Sequence, residues 1–281
     1  MNYKEQLQLK KAADNGDLDA MYDYGVFLYL NTPDYETALK YFYDAASRGY
    51  ALAYGEIGMI LYREKDDVEN AEKWFQEAVK ADCIIPPIAF EYGMLLFVEK
   101  DNLNEALKYL FIAAEAEYEP AYPIIGAILN IQNKIDDAEQ WFKKAEQANF
   151  LSHATAYDYG MLLYWDRDEL EQALKYLFIA AKDDYEPAFG DIGIIYYRDK
   201  NDKETALKWF KKAENVDCLY PPAAFEYGEL LSELGKTDEA MEKYLIAAEG
   251  KYDLAYEAIG DIYYQRNDLE TADKWFAKME E

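Results

Sequence analysis

Residues 105–121 read EALKYLFIAAEAEYEPA, and residues 172–188 read QALKYLFIAAKDDYEPA. Two near-copies 67 residues apart in one chain mean a repeat, and the repeat decides the fold. In the first copy Ala106, Leu110 and Ala113 fall four and three residues apart, on one face of a helix. The same stripe recurs as Ala38-Phe42-Ala45, Ala71-Phe75-Ala78, Ala138-Phe142-Ala145, Ala173-Leu177-Ala180, Ala206-Phe210-Ala213 and Ala240-Tyr244-Ala247. It closes with Ala272-Phe276-Met279. Twelve or thirteen residues before each stripe stands a glycine in an apolar helical pattern: Gly25, Gly58, Gly93, Gly126, Gly160, Gly193, Gly228 and Gly260. Their spacing is 32 to 35 residues. Tyr precedes the glycine in odd units (Tyr24, Tyr92, Tyr159, Tyr227) and Ile in even ones (Ile57, Ile125, Ile192, Ile259). A two-unit block of 67 or 68 residues has been duplicated.

Each unit is expected to form two short helices. Helix A surrounds the glycine, which allows close approach of a neighbour at a propensity cost of roughly 1 kcal/mol. Helix B carries the stripe. Asp34, Asp67, Asn102, Asp202 and Asp268 lie four before the stripe alanine, where a helix cap belongs. Pro87, Pro120, Pro187 and Pro222 should open helix A. Acids two before the stripe (Glu36, Glu69, Asp136, Glu171, Glu204, Asp238, Glu270) suit a first turn, with Lys four residues on from Glu36, Glu69, Glu171, Glu204 and Glu270. Residues 3–15 look like a lone B helix, with Leu9 and Ala12 matching Phe42 and Ala45. The division is therefore a capping helix in residues 1–19 and eight units at 20–50, 51–86, 87–119, 120–153, 154–186, 187–221, 222–253 and 254–281.

This pattern resembles the tetratricopeptide and Sel1-like repeat families. Residues 12–29 (AADNGDLDAMYDYGVFLY) and 38–49 (ALKYFYDAASRG) look Sel1-like, while the unit length is nearer the tetratricopeptide repeat. The resemblance covers residues 20–281. It implies an all-α, right-handed α-solenoid of eight helix-turn-helix repeats that serves as an interaction scaffold, without naming a partner.

The chain of 281 residues has 29 Lys plus Arg against 56 Asp plus Glu, a formal charge of −27. An apolar fraction of 51% is enough for a real core. The charge opposes nucleic acid and anionic membrane as partners. The longest apolar stretch, residues 84–98, is broken by Pro86, Pro87, Glu91 and Gly93, so no membrane insertion is expected and a cytoplasmic location is the default. Cys83 and Cys218 occupy a slot that elsewhere holds Tyr50, Tyr118, Phe150, Tyr185 and Tyr252, and read as inert packing thiols with no disulfide between them. The single His153 enters a helix and cannot supply a zinc or Ser-His motif, and Gly235-Lys236-Thr237 lacks the first glycine of a phosphate loop. No catalytic residue, metal or cofactor is expected; the chain reads as a non-enzyme.

A tetratricopeptide-like geometry puts helix A on a concave face. Its inward positions lie three before, one after and four after the glycine. The candidate groove is Tyr22, Tyr29, Met59, Tyr62, Phe90, Met94, Phe97, Tyr157, Met161, Tyr164, Ile194, Tyr197 and Phe225. A plain solvated face would carry Lys and Glu there; aromatic and Met surface marks an interaction site. The alternative is that neighbouring A helices bury these rings against each other. Two before the glycine runs an acidic ladder: Asp23, Glu56, Glu91, Asp158, Asp191 and Glu226, with Ile124 and Ala258 as breaks. It suits a basic, partly apolar segment, or is simply solvated. A second hypothesis is an acidic decoy that imitates nucleic acid and sequesters a basic protein. Pro123 should kink the fourth helix A or delay its start, dividing the groove into two similar halves. Trp275, Phe276 and Met279 leave the last stripe uncapped, so the natural protein continues or this end self-associates.

Overall fold

The computed structural model describes residues 3–32, 34–182 and 184–279. Their regular structure is entirely helical. The chain forms two compact units, residues 1–150 and 151–281. The first holds α1 (Tyr3–Asp14), α2 (Leu18–Asn31), α3 (Tyr35–Ser47), α4 (Leu52–Lys65), α5 (Val68–Lys80), α6 (Pro86–Val98), α7 (Leu103–Glu115), α8 (Ala121–Ile131) and α9 (Ile135–Gln147). The second holds α10 (His153–Trp165), α11 (Leu170–Lys182), α12 (Pro187–Arg198), α13 (Lys203–Asn215), α14 (Pro221–Glu233), α15 (Thr237–Glu249), α16 (Asp253–Gln265) and α17 (Leu269–Ala277). In each unit successive A–B hairpins stack on one another, the arrangement expected of an α-solenoid.

The stripe is the core of each hairpin. Ala38, Phe42 and Ala45 on α3 are fully buried, as are Ala206, Phe210 and Ala213 on α13. The glycine opposite leaves no room for a side chain. A Cβ on Gly25 would stand 2.7 Å from the Phe42 ring. The close approach expected of this glycine is thus to its own helix B.

All five expected caps form. Asp34, Asp67, Asn102, Asp202 and Asp268 each accept the backbone N–H three residues on. Asp66, Asp82, Asp101, Asp168, Asp184 and Asp217 sit in turns at φ between 49° and 57°. Aspartate tolerates this left-handed region better than most residues, which accounts for a further share of the acid surplus. The Glu-to-Lys pairing is only partly as expected. Glu204–Lys208 and Glu270–Lys274 form within a helix, but Glu36 pairs with Lys65 at the end of the following helix A and Glu171 with Lys200 just beyond the end of its own.

α8 starts at Ala121, with Pro123 as its third residue, one or two residues later relative to its glycine than the other A helices. The expected late start is the outcome. α1 packs on α2, but its buried residue is Ala13 rather than Ala12. Just after the last helix Met279 is 45% exposed, while the Lys278 ammonium lies 3.8 Å from the Trp275 ring centre. Cys83 and Cys218 are free, half-buried thiols rather than full core residues. Burial pushes the Cys218 thiol pKa up, which keeps it protonated.

Candidate ligand-binding face

In each unit the A helices place their tyrosines against carboxylates of the next repeat. In the first, Tyr22 on α2 donates its hydroxyl to Glu56 on α4 at 3.1 Å, and Tyr29 donates to Glu64 at 3.1 Å. In the second, Tyr157 on α10 donates to Asp191 on α12 at 2.9 Å, and Tyr164 donates to Asp199 at 2.9 Å. The following step uses arginine. Arg63 grips both oxygens of Glu91 on α6, with Nε to Oε2 at 2.8 Å, and Arg198 pairs with Glu226 on α14.

The ladder is therefore not a free acidic row. Glu56, Glu91, Asp191 and Glu226 are 7%, 4%, 6% and 4% exposed, and each has an internal partner. Asp23 alone is exposed. Asp158 is half-buried, and burial raises its pKa to about 6. Burial also raises Glu56 and Asp191, partly offset by the tyrosine hydrogen bonds. Burial first, then the adjacent carboxylates, hold Tyr22, Tyr157 and Tyr164 far above the usual phenol range. These tyrosines stay protonated donors, suited to holding a surface in shape rather than exchanging protons.

The pairing explains a sequence detail. Phe90 and Phe225 replace tyrosine three before the glycine in the third and seventh repeats, and the next repeats carry Ile124 and Ala258 instead of an acid. Where no carboxylate faces the ring, no hydroxyl is present. Phe90 packs on Tyr118 at 5.4 Å and Phe225 on Tyr252 at 5.3 Å. In the second and sixth repeats the same position is Gly55 or Gly190. A Cβ on Gly190 would meet Tyr220 at 2.8 Å and Ala223 at 2.9 Å.

The expected groove residues are brought together in part. Tyr22, Asp23 and Glu56 line an open cleft of about 1020 Å³ with Val26, Leu30 and Ile85. Tyr157, Met161, Tyr164, Asp191, Ile194 and Glu226 line a cavity of about 560 Å³ with Trp165, Arg198 and Tyr220. Tyr220 donates to the second oxygen of Asp191 at 2.5 Å, so two tyrosines bracket one carboxylate. Tyr29, Met59, Tyr62, Phe90, Met94, Phe97, Tyr197 and Phe225 are half-buried. Phe225 stands 5.7 Å from Tyr244 and joins the packing between helices.

Several well-exposed apolar side chains lie one position beyond the expected row, five after the glycine. Leu30, Val98, Ile131 and Trp165 are 71%, 57%, 61% and 66% exposed. Arg63 and Arg198 hold the same position in the second and sixth repeats. Sequence reasoning missed this row because it assigned only three inward positions to helix A. Four apolar residues and two arginines at one register through the first six repeats were the available signal.

The sequence model of the tetratricopeptide repeat family matches residues 29–82. Among solved structures, a protective antigen of uropathogenic Escherichia coli displaying an SLR fold aligns over 98% of this chain and 71% of its own. Its identity is 18% and its TM-score 0.59. A Sel1 repeat protein from Oxalobacter formigenes aligns over 97% and 85%, at 21% identity and TM-score 0.58. Residues 29–82 thus match the tetratricopeptide repeat, and the chain as a whole has the fold of tetratricopeptide/Sel1-like repeat structures. PilF of Pseudomonas aeruginosa is also similar to this repeat protein, over 79% and 99%, at 20% identity and TM-score 0.60. No curated protein sequence matches it significantly. At such identities the likeness carries the fold and nothing about the partner.

Proposed function

We propose that this repeat protein is a non-enzymatic interaction scaffold, and that the A-helix faces of its units bind a protein segment carrying apolar and basic side chains. One observation carries the reading. Trp165, 66% exposed, stands at the rim of a cavity of about 560 Å³ walled by Tyr157, Met161, Tyr164 and Tyr220. An exposed Trp beside a preformed aromatic cavity is the composition of an interface anchor. The Tyr164 ring supports it at 4.8 Å. The ladder's part differs from a direct one. Its carboxylates hold tyrosines and arginines in position, and the preference for a basic segment comes from the cavity's net negative wall and the chain's charge of −27. No helix among the described residues is long and apolar enough to cross a membrane. Free thiols suit a reducing compartment, which supports the cytoplasm as its location.

The test is cross-linking and mass spectrometry of partners captured from the native cell by wild type and by Trp165→Ala/Tyr164→Ala. Capture should fall at least tenfold while the far-ultraviolet helical signal persists. Unchanged capture would sink the reading. Capture abolished by salt yet indifferent to both substitutions would favour the acidic decoy instead.

A further inference from the structure

We infer that the chain carries two copies of one ligand site, one in each unit, and takes two copies of the same segment. This rests on the scaffold reading and adds number and ligand chemistry to it. Shifted by 135 residues, the second unit repeats the first at the positions that shape the cleft. Tyr22 and Tyr29 correspond to Tyr157 and Tyr164, Glu56 and Glu64 to Asp191 and Asp199, and Arg63 and Glu91 to Arg198 and Glu226. The contacts recur with the residues: each tyrosine reaches its carboxylate, and each arginine its glutamate.

Packing demands alone do not explain this. Tyr29–Glu64 and Tyr164–Asp199 are exposed hydrogen bonds, which add little net stability. Both units nevertheless keep them. Helix B surfaces repeat less completely: the Glu36–Lys65 pair recurs as Glu171–Lys200, but other positions change. Asp44 and Glu77 on α3 and α5 become Ile179 and Lys212 on α11 and α13, reversing their character.

Both clefts also share five lining positions and a sign of charge, although the first is wider. Tyr22, Val26, Leu30, Glu56 and Ile85 line the first; Tyr157, Met161, Trp165, Asp191 and Tyr220 line the second at the same positions. The first adds Glu5 and Asp23, with no Lys or Arg among the described residues of its lining. The second sets Glu186, Asp191 and Glu226 against Arg198. Each is aromatic or apolar at the rim and net negative in its wall. The matching ligand is an extended peptide in which apolar residues alternate with Lys or Arg, so that one side fills the cleft and cations face its exposed acids, Glu5 and Asp23 in the first and Glu186 in the second. Trp165, Met161 and Tyr220 offer more contact than Leu30, Val26 and Ile85, so the second site is the tighter.

The probe is an acetylated, amidated peptide of about twelve residues alternating Leu and Lys, titrated calorimetrically at about 0.15 M salt. A matched peptide with Ser for Leu is the control. Wild type should bind two probe peptides per chain. Tyr29→Ala/Leu30→Ser should remove one event, and Tyr164→Ala/Trp165→Ser the tighter one, each by at least tenfold. The fourfold variant should bind none, with helical content checked by circular dichroism. One peptide per wild-type chain, or loss of both events from either pair, overturns the two-site inference and leaves the scaffold reading standing. Equal binding of both peptides by every variant, or no saturable binding at all, overturns both.

Discussion

At the scale of single residues, position in the repeat decides what a carboxylate does. Glu91 and Glu226 are almost fully buried against arginine, Asp191 is bracketed by two tyrosines, and Asp158 has a pKa raised to about 6 by burial. A carboxyl raised above its unfolded value favours the protonated form in the native state. Between about pH 4 and 6 the folded chain then binds more protons than the unfolded one, so stability falls as pH rises through that window. Asp158→Asn should therefore raise Tm at pH 7.5 and leave it unchanged near pH 3.5, as read by thermal melts in matched buffers. A Tm that falls at pH 7.5 would assign Asp158 a partner in the folded state. The ladder's spacing was legible in the sequence, but its burial was not. Spacing places Glu56 on a face, whereas Tyr22 reaches it only because the next hairpin stacks at that distance.

At the scale of elements, the repeat is held by local signals that agree. Caps, left-handed aspartates and stripe alanines all mark the same boundaries. Asn102 caps α7 by accepting the Glu105 N–H at 3.3 Å. Asn102→Ala should cost about 1 kcal/mol in urea-monitored stability, with the m-value unchanged. The glycines carry a larger constraint. Gly228 faces the Tyr244 ring, where an added Cβ would come within 2.5 Å. Gly228→Ala should destabilise by about 1–3 kcal/mol despite the better helix propensity of alanine. A stabilised variant would show that the hairpin can spread at no cost. Helix extents were readable because periodicity, caps and proline act within a few residues. The partner of each A helix was not, since tyrosine-to-acid and arginine-to-acid contacts span 28 to 35 residues of chain.

At the scale of the whole molecule, a charge of −27 opposes compaction. Local pairs such as Lys65–Glu36 and Lys200–Glu171 join consecutive repeats but cannot offset that surplus. Raising salt from about 0.02 to 0.5 M should raise Tm by several degrees, because screening weakens the summed repulsion more than it weakens short exposed pairs. A lower Tm in salt, followed by differential scanning fluorimetry, would show that the pairs dominate. The sequence by itself determined the all-helical repeat, its eight-fold count, the caps and the buried stripe, since each is written in periods shorter than one hairpin. Only the tertiary structure decided that the acidic ladder is mostly internal, that Leu30 and Trp165 stand more exposed than the expected aromatics, and that the chain condenses as two units. The physical reason is that burial and hydrogen bonding depend on how one hairpin meets the next, a distance no local pattern encodes.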